Sequence, residues 1–215
     1  MNESISIIQS LDVGTIAIVF FSLVISITIH EAMHAFTGHW LGDDTAYREG
    51  RISLNPFRHV DPFATILLPL ITLILFKVPL LAAKPVPFNP NRVRFDEFGA
   101  ALVGISGPLT NLFLAISTAG FINLFANSLS VSLLNVLLIF MMINVGLFVF
   151  NMMPIPPLDG SRLVYALAPE PVQRFMASME QFGILIVFAL VLMVPAYFDI
   201  IIGLNRAIID FLIIV

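Results

Sequence analysis

"GTIAIVFFSLVISITIHEAMHA", residues 14–35, decides how this chain folds. It is an almost unbroken apolar run that closes on a histidine, a glutamate and a second histidine. As an α-helix it would be about 33 Å long, enough for the ~30 Å hydrocarbon core of a bilayer. Ionisable groups are costly at such a depth and generally mark function. The fold and the chemistry are therefore both questions about this stretch.

The remainder of the chain agrees with a membrane setting. Of 215 residues, 59% are hydrophobic and 11% charged, and the mean hydropathy is +1.00. Soluble domains carry roughly 25% charged residues. The net charge is only −4 and no basic block is present, so the expected surroundings are the lipid bilayer and not a nucleic acid. There is no cysteine, which excludes disulfide scaffolds, thiolate metal sites and cysteine nucleophiles. The N-terminal "MNESISIIQSLDVG" has no Lys or Arg and lacks the basic start of a signal peptide, so the first apolar segment is expected to remain in the mature protein.

Four strong membrane segments are expected, near residues 14–35, 98–125, 131–153 and 182–195. A fifth stretch, "FATILLPLITLILF" (63–76), has 14 residues and is flanked or broken by Pro62, Pro69 and Pro79. It is short for a span and reads as a re-entrant or interfacial segment. The last stretch, "FDIIIGLNRAIIDFLIIV" (198–215), mixes Asp199, Arg206 and Asp210 with aliphatic residues; an interfacial helix and a weakly marked span both fit. The fold class is thus an all-α polytopic membrane protein of about four to six membrane segments. A small β element in the loop before residue 98 is compatible with it. One domain, 1–215, is expected, with a core of about 14–165 and C-terminal helices over about 180–215.

Seven of the ten Lys/Arg residues (Arg48, Arg51, Arg58, Lys77, Lys84, Arg92, Arg94) lie between the first two strong segments, and Arg162 and Arg174 lie between the third and fourth. The positive-inside rule makes both loops cytoplasmic and puts the N-terminus outside, in a multi-pass protein of the cell membrane. This holds only if 63–76 does not cross.

His30 and His34 are one helical turn apart and share a face. HExxH on a helix can hold one zinc ion through its two imidazoles, with the glutamate free to take a proton from the attacking water and pass it to the leaving amine. A catalytic zinc site needs a third protein ligand and an open position. His39, in "GHWLGDD", reads as an interface histidine, and His59, in "NPFRHVDP", as a maker of loop hydrogen bonds. Asp43, Asp44, Glu49 and Asp61 read as solvated or capping groups. Asp159 differs: it follows a full span, in "FNMMPIPPLDGSR", where Pro154, Pro156 and Pro157 stop the helix and favour an extended path, and Gly160 permits a sharp turn. His30 lies about 24 Å along the first segment, just under the cytoplasmic boundary. Asp159 and "SGPLTN" (106–111) reach the same depth in the expected topology. An Asp-Gly turn is the plainer alternative for Asp159.

With these motifs in view, "HEAMH", "GPLTN" and "NMMPIPPLDG" resemble the signatures HExxH, GPxxN and NxxPxxxxDG of the site-2 proteases, zinc-dependent intramembrane metalloproteases. "GRISLNPFRHVDP" and "AKPVPFNP" are similar to segments of a compact prokaryotic branch, and the likeness covers roughly residues 28–162. It implies hydrolysis of peptide bonds in or near the membrane segments of protein substrates, as in regulated intramembrane proteolysis. It also implies one Zn2+ per chain on His30, His34 and Asp159, with Glu31 as the base. Asn111 and Asn151 match positions that would steady the substrate backbone or the oxyanion; hydrogen bonding between helices is the other reading of both. The larger members' PDZ-like or CBS-like domains are not expected. An extended substrate could pair with the "AAKPVPFNP" region, or that region is a plain interfacial loop. The rival readings are a catalytically silent protein that binds membrane helices and a metal transporter. The intact Glu31 argues against the first, and the clustering of polar residues at one depth against the second. Substrate identity, trigger and oligomeric state are not legible.

Overall fold

The apolar run at residues 14–35 becomes one continuous helix in the structure, a computed structural model that describes residues 12–59 and 86–214. Helix α1 is Val13–Trp40, started by the Asp12 side chain accepting the Thr15 N–H. It is ended by Gly42, whose φ of +110° is open mainly to glycine. Its 28 residues make it about 42 Å long, more than the hydrocarbon core needs. A short helix α2 (Thr45–Arg48) and a turn at Pro56–Arg58 follow. Beyond residue 85 come α3 (Asp96–Phe125), α4 (Val131–Asn151), α5 (Gly160–Leu167), α6 (Glu170–Glu180), α7 (Gly183–Met193) and α8 (Pro195–Leu212).

Helices α1 and α4, and α3 with its terminal turn to Ser128, are long and apolar enough to cross a membrane; α6 and α7, bent by 87°, make a fourth candidate if counted as one broken span. There is no strand among the described residues. Of "AAKPVPFNP", residues 86–89 belong to no helix or strand and 82–85 lie outside the described residues. Among the described residues the secondary structure is all helical, and the protein is a multi-pass membrane protein.

Side-chain pairs fix the directions of the helices. His34 meets Val103 and His30 meets Asn111, so α1 and α3 are antiparallel. Ser26 meets Asn144, while Asp12 and Ser132 line one common cleft, so α1 and α4 are parallel. The C-terminal ends of α1 and α4 and the start of α3 therefore share one end of the bundle. The chain on either side of the undescribed stretch also meets there: Arg94 N–H donates to Leu41 O (2.9 Å), and Asn89 N–H to Asp43 Oδ2 (2.7 Å). The 63–76 segment itself lies outside the described residues.

Close packing comes from small residues on α3. Ala100, Gly104, Gly107, Asn111, Ala115 and Ala119 are buried at spacings of three and four, a stripe that lets backbones approach as they do between membrane helices. A Cβ at Gly104 would lie 2.9 Å from Arg162 Cβ and 3.1 Å from Asp159 O, which shows how tightly α5 is drawn against α3. Further along the same stripe, Ala115 and Ala119 pack with Met141, Val145 and Val149 of α4.

One expectation changes. Residues 152–159 are a run of turns rather than an extended segment, with Ile155 N–H on Met153 O and Leu158 N–H on Ile155 O. The prolines do stop α4, but the segment coils back instead of running straight. Gly160 is needed there for closeness: a Cβ on it would meet the Met152 backbone at 2.3 Å. The C-terminal stretch, open between two readings, packs lengthwise on the bundle. Ile201, Ile208, Ile209 and Leu212 cover the α3–α4 core. Asn123 holds Leu212 O and the Ile214 N–H.

Candidate metal centre

His30 and His34 project from α1 toward the start of α3, and Asp159 reaches them from the turn before α5. The three side chains offer ligand atoms that all lie within 4.8 Å of one another. Asp159 Oδ2 is 3.1 Å from His30 Nε2 and 3.4 Å from His34 Nε2, and the two Nε2 atoms are 3.0 Å apart. Both histidines are buried, and the Asp159 side chain is 23% exposed.

The outer nitrogens decide what this cluster can be. His34 Nδ1 lies 2.7 Å from Val103 O; a carbonyl only accepts, so Nδ1 carries the hydrogen. His30 Nδ1 lies 2.6 Å from Asn111 Oδ1, again an acceptor. Neutral imidazoles so arranged turn two bare Nε2 lone pairs toward each other and toward a carboxylate oxygen. Three acceptors then converge with no donor among them, which a cation resolves. Two imidazole nitrogens plus one carboxylate oxygen is a donor set that suits catalytic zinc and leaves a coordination position open. The outer hydrogen bonds are the kind that orient metal-ligating histidines.

Gly107 makes the space. A Cβ there would sit 2.4 Å from His34 Nε2 and 2.7 Å from His30 Nε2. The motif "GPLTN" thus contributes an absence of atoms at Gly107 and a hydrogen-bond acceptor at Asn111.

A cavity of about 620 Å³ opens beside the cluster, bordered by Glu31, both histidines, Asp159 and Asn151, with an apolar wall that includes Ile27, Leu147, Phe150 and Phe182. Val86 and Phe88, two residues apart in the returning loop, also face it, and Arg162 and Glu180 lie on its border, joined by an ion pair at 2.5 Å. Glu31 stands one residue past His30, on the cavity. Asn151 lines the cavity while its Nδ2 donates back to Leu147 O (3.0 Å). Asn111 does not line it. It is fully buried, with Oδ1 on His30 and Nδ2 on Asn144 Oδ1 at 2.9 Å.

The other polar candidates stand apart from the cluster. His39 bonds Asp44 (2.7 Å) and stacks on Tyr47. His59 holds Ser53 O (2.8 Å) within its loop. Asp43, buried, ties Asn89 and Thr45 together. Sequence reasoning passed over Asn144 and Ser26, which lie behind Asn111, and the Val103 carbonyl. Asn144 had a signal: it is an amide within the very apolar α4, two turns before Asn151. A backbone carbonyl such as Val103 O leaves none.

Comparison with known proteins agrees with this geometry. The family model for peptidase family M50 matches residues 62–194. YwhC of Bacillus subtilis (strain 168), provisionally assigned as a zinc metalloprotease, is 36% identical over 187 residues, 81% of this chain and 79% of its own. Rip2 of Mycolicibacterium smegmatis, with the same provisional assignment, is 30% identical over 190 residues, 86% of this chain and 70% of its own. Rip2 of Mycobacterium tuberculosis (strain H37Rv) is 30% identical over 180 residues, 83% and 67% of the two chains. No solved structure matches. The chain belongs to peptidase family M50, the site-2-type zinc metalloproteases.

Proposed function

We propose that this protein is an intramembrane zinc endopeptidase that cuts membrane-protein substrates in or near their spanning segments. One zinc per chain is held by His30, His34 and Asp159. The observation that carries the reading is the convergence, within 4.8 Å, of three acceptor atoms, two of them on a helix long and apolar enough to cross a membrane. Bound there, zinc would supply a Lewis acid for the scissile carbonyl and lower the pKa of water.

The chain's own residues do the remainder. Glu31, beside His30 and facing the cavity, takes a proton from the attacking water and delivers it to the leaving amine. Asn151 presents Oδ1 to the cavity, since its Nδ2 is held by Leu147 O, and steadies the substrate backbone. Asn111 orients His30 in place of touching substrate. The apolar wall accepts an unwound stretch of substrate, and the cavity admits water. The full chain acts as one membrane domain. By the charge distribution its N-terminus lies outside and the site opens near the cytoplasmic face of the cell membrane.

A silent helix-binding protein would have no use for Glu31 at the cavity. A transporter would carry polar groups through the whole bundle, whereas α4 beyond Asn144, toward Val131, has only Asn135 and Ser132. The test is Glu31→Gln in proteoliposomes with a single-span substrate. Cleavage should vanish while the zinc content stays at one per chain. Cleavage at the wild-type rate would defeat the proposal.

A further inference from the structure

Behind His30 lies a chain of buried hydrogen bonds that crosses three helices. His30 Nδ1 meets Asn111 Oδ1 at 2.6 Å, and Asn111 Nδ2 meets Asn144 Oδ1 at 2.9 Å. Asn144 Nδ2 meets Phe140 O at 2.9 Å and Ser26 Oγ at 2.8 Å. Asn111, Asn144 and Ser26 are all fully buried. Two amides placed this way in a membrane core need their partners, because no water can substitute.

The direction of every bond follows from its far end. Phe140 O is a carbonyl and can only accept, so the Asn144 edge facing it is the NH2 group. The opposite edge of Asn144 is then its oxygen, which accepts from Asn111. Asn111 must therefore turn its NH2 toward Asn144 and its oxygen toward His30. That oxygen accepts only from an N–H, so His30 carries a hydrogen on Nδ1, and as a neutral imidazole it keeps Nε2 bare. Asn111 on its own could rotate by 180° and present NH2 to His30, which would favour the opposite tautomer with Nε2 blocked. Its second hold, Ser26 O at 3.4 Å, is long.

We infer that Asn144 is a positioning residue for the metal centre: through Asn111 it selects the Nδ1–H tautomer of His30 and so keeps Nε2 available as a ligand. The zinc part of this inference rests on the proposed function above; the tautomer part stands on the hydrogen bonds alone. Asn144 touches neither substrate nor metal. Partners of this kind shift metal affinity by about 10–100-fold when lost.

The experiment uses the full chain in detergent micelles. Asn144→Leu and the smaller Asn144→Ala remove the acceptor for Asn111. Asn144→Asp, protonated when buried, keeps one acceptor and one donor in the same places. Nitrogen-15 spectra of the histidines in metal-free protein, with the His30 signals assigned by their loss in His30→Ala, read the tautomer. Chelator competition reads zinc affinity. Wild type and Asn144→Asp should show the Nδ1–H form of His30. Asn144→Leu and Asn144→Ala should lose that preference and bind zinc about 10–100-fold more weakly. If the Leu variant does not fold, the Ala variant carries the test. A His30 signal unchanged in the folded Leu or Ala variant overturns the inference, even if thermal stability falls. A wild-type protein that binds no zinc but shows the Asn144-dependent tautomer would sink the proposed function and leave this inference standing.

Discussion

Gly107→Ala adds one methyl group at the point where the metal centre has least room. The new Cβ would lie 2.4 Å from His34 Nε2, 2.7 Å from His30 Nε2 and 2.7 Å from His34 Cε1. Ordinary carbon–nitrogen contact begins near 3.4 Å, so each ring must retreat by about 0.7–1 Å. His34 cannot do so freely, because its Nδ1 is tied to Val103 O at 2.7 Å. Zinc–nitrogen bonds are about 2.0–2.1 Å and tolerate about 0.2 Å, so the displaced rings no longer define a site, and the methyl fills part of the ion's volume. Zinc affinity should fall by more than the roughly 10–100-fold typical of losing an outer partner. Helix α3 itself should not suffer, since alanine in a helix interior is favoured over glycine by about 0.5–1 kcal/mol. Gly120→Ala is the control. It sits on the same helix with nothing within 4 Å of its Cβ, and it should leave zinc and cleavage unchanged. The assay is zinc content by elemental analysis after purification, then chelator competition, for wild type and both variants. A Gly107→Ala protein that holds zinc with wild-type affinity would refute the geometry at its centre.

Other outcomes follow from single contacts. Asn151→Ala, which removes an amide from the cavity wall, should lower kcat/KM roughly 2–10-fold at an unchanged zinc content, on the scale of losing one neutral hydrogen bond to the substrate backbone; cleavage rates across substrate concentrations check it. Asp43 lies outside the spanning helices. Burial would raise its pKa, but the Asn89 N–H, the Thr45 hydroxyl and N–H, and the Arg92 charge outweigh burial and hold it below the usual carboxylate value. A depressed folded pKa gives stability that is full above the unfolded value near pH 4 and is lost as pH falls through the folded value. The 86–95 loop should therefore keep its hydrogen-exchange protection at neutral pH and lose it well below pH 4. Asp43→Ala should remove that protection at every pH, at a cost of about 1–3 kcal/mol for the stranded donors.

Much of this was readable from residues alone. The apolar runs at 14–35, 98–125 and 131–153 are close to α1, α3 and α4, because in a bilayer an apolar segment of spanning length has few other stable choices. His30 and His34 share a face because HExxH on a helix leaves no other arrangement. Asp159 could be paired with them only through topology, and the antiparallel α1–α3 and parallel α1–α4 pairs put it at the right end. What was not readable depends on contacts between distant segments. The turns at 152–159 follow from a loop that must fold back onto Met152, which proline spacing does not specify. The seating of α8 depends on a face that α3 and α4 leave uncovered. Asn144 acts only through Asn111, and the role of Gly107 is visible only once both imidazoles are placed around it.

If His30, His34 and Asp159 hold a zinc that serves peptide-bond hydrolysis within the membrane, cleavage must depend on that zinc and fall in the apolar segment of the substrate. The most direct measurement is mass-spectrometric mapping of product termini from a single-span substrate in proteoliposomes, before zinc is stripped by chelator, after stripping, and after zinc is restored. The expected cut lies inside or at the edge of the apolar segment, toward the membrane face where α1 ends, and is abolished by stripping and recovered with zinc. Undiminished cleavage after stripping, or cuts confined to the soluble tails of the substrate, would contradict it.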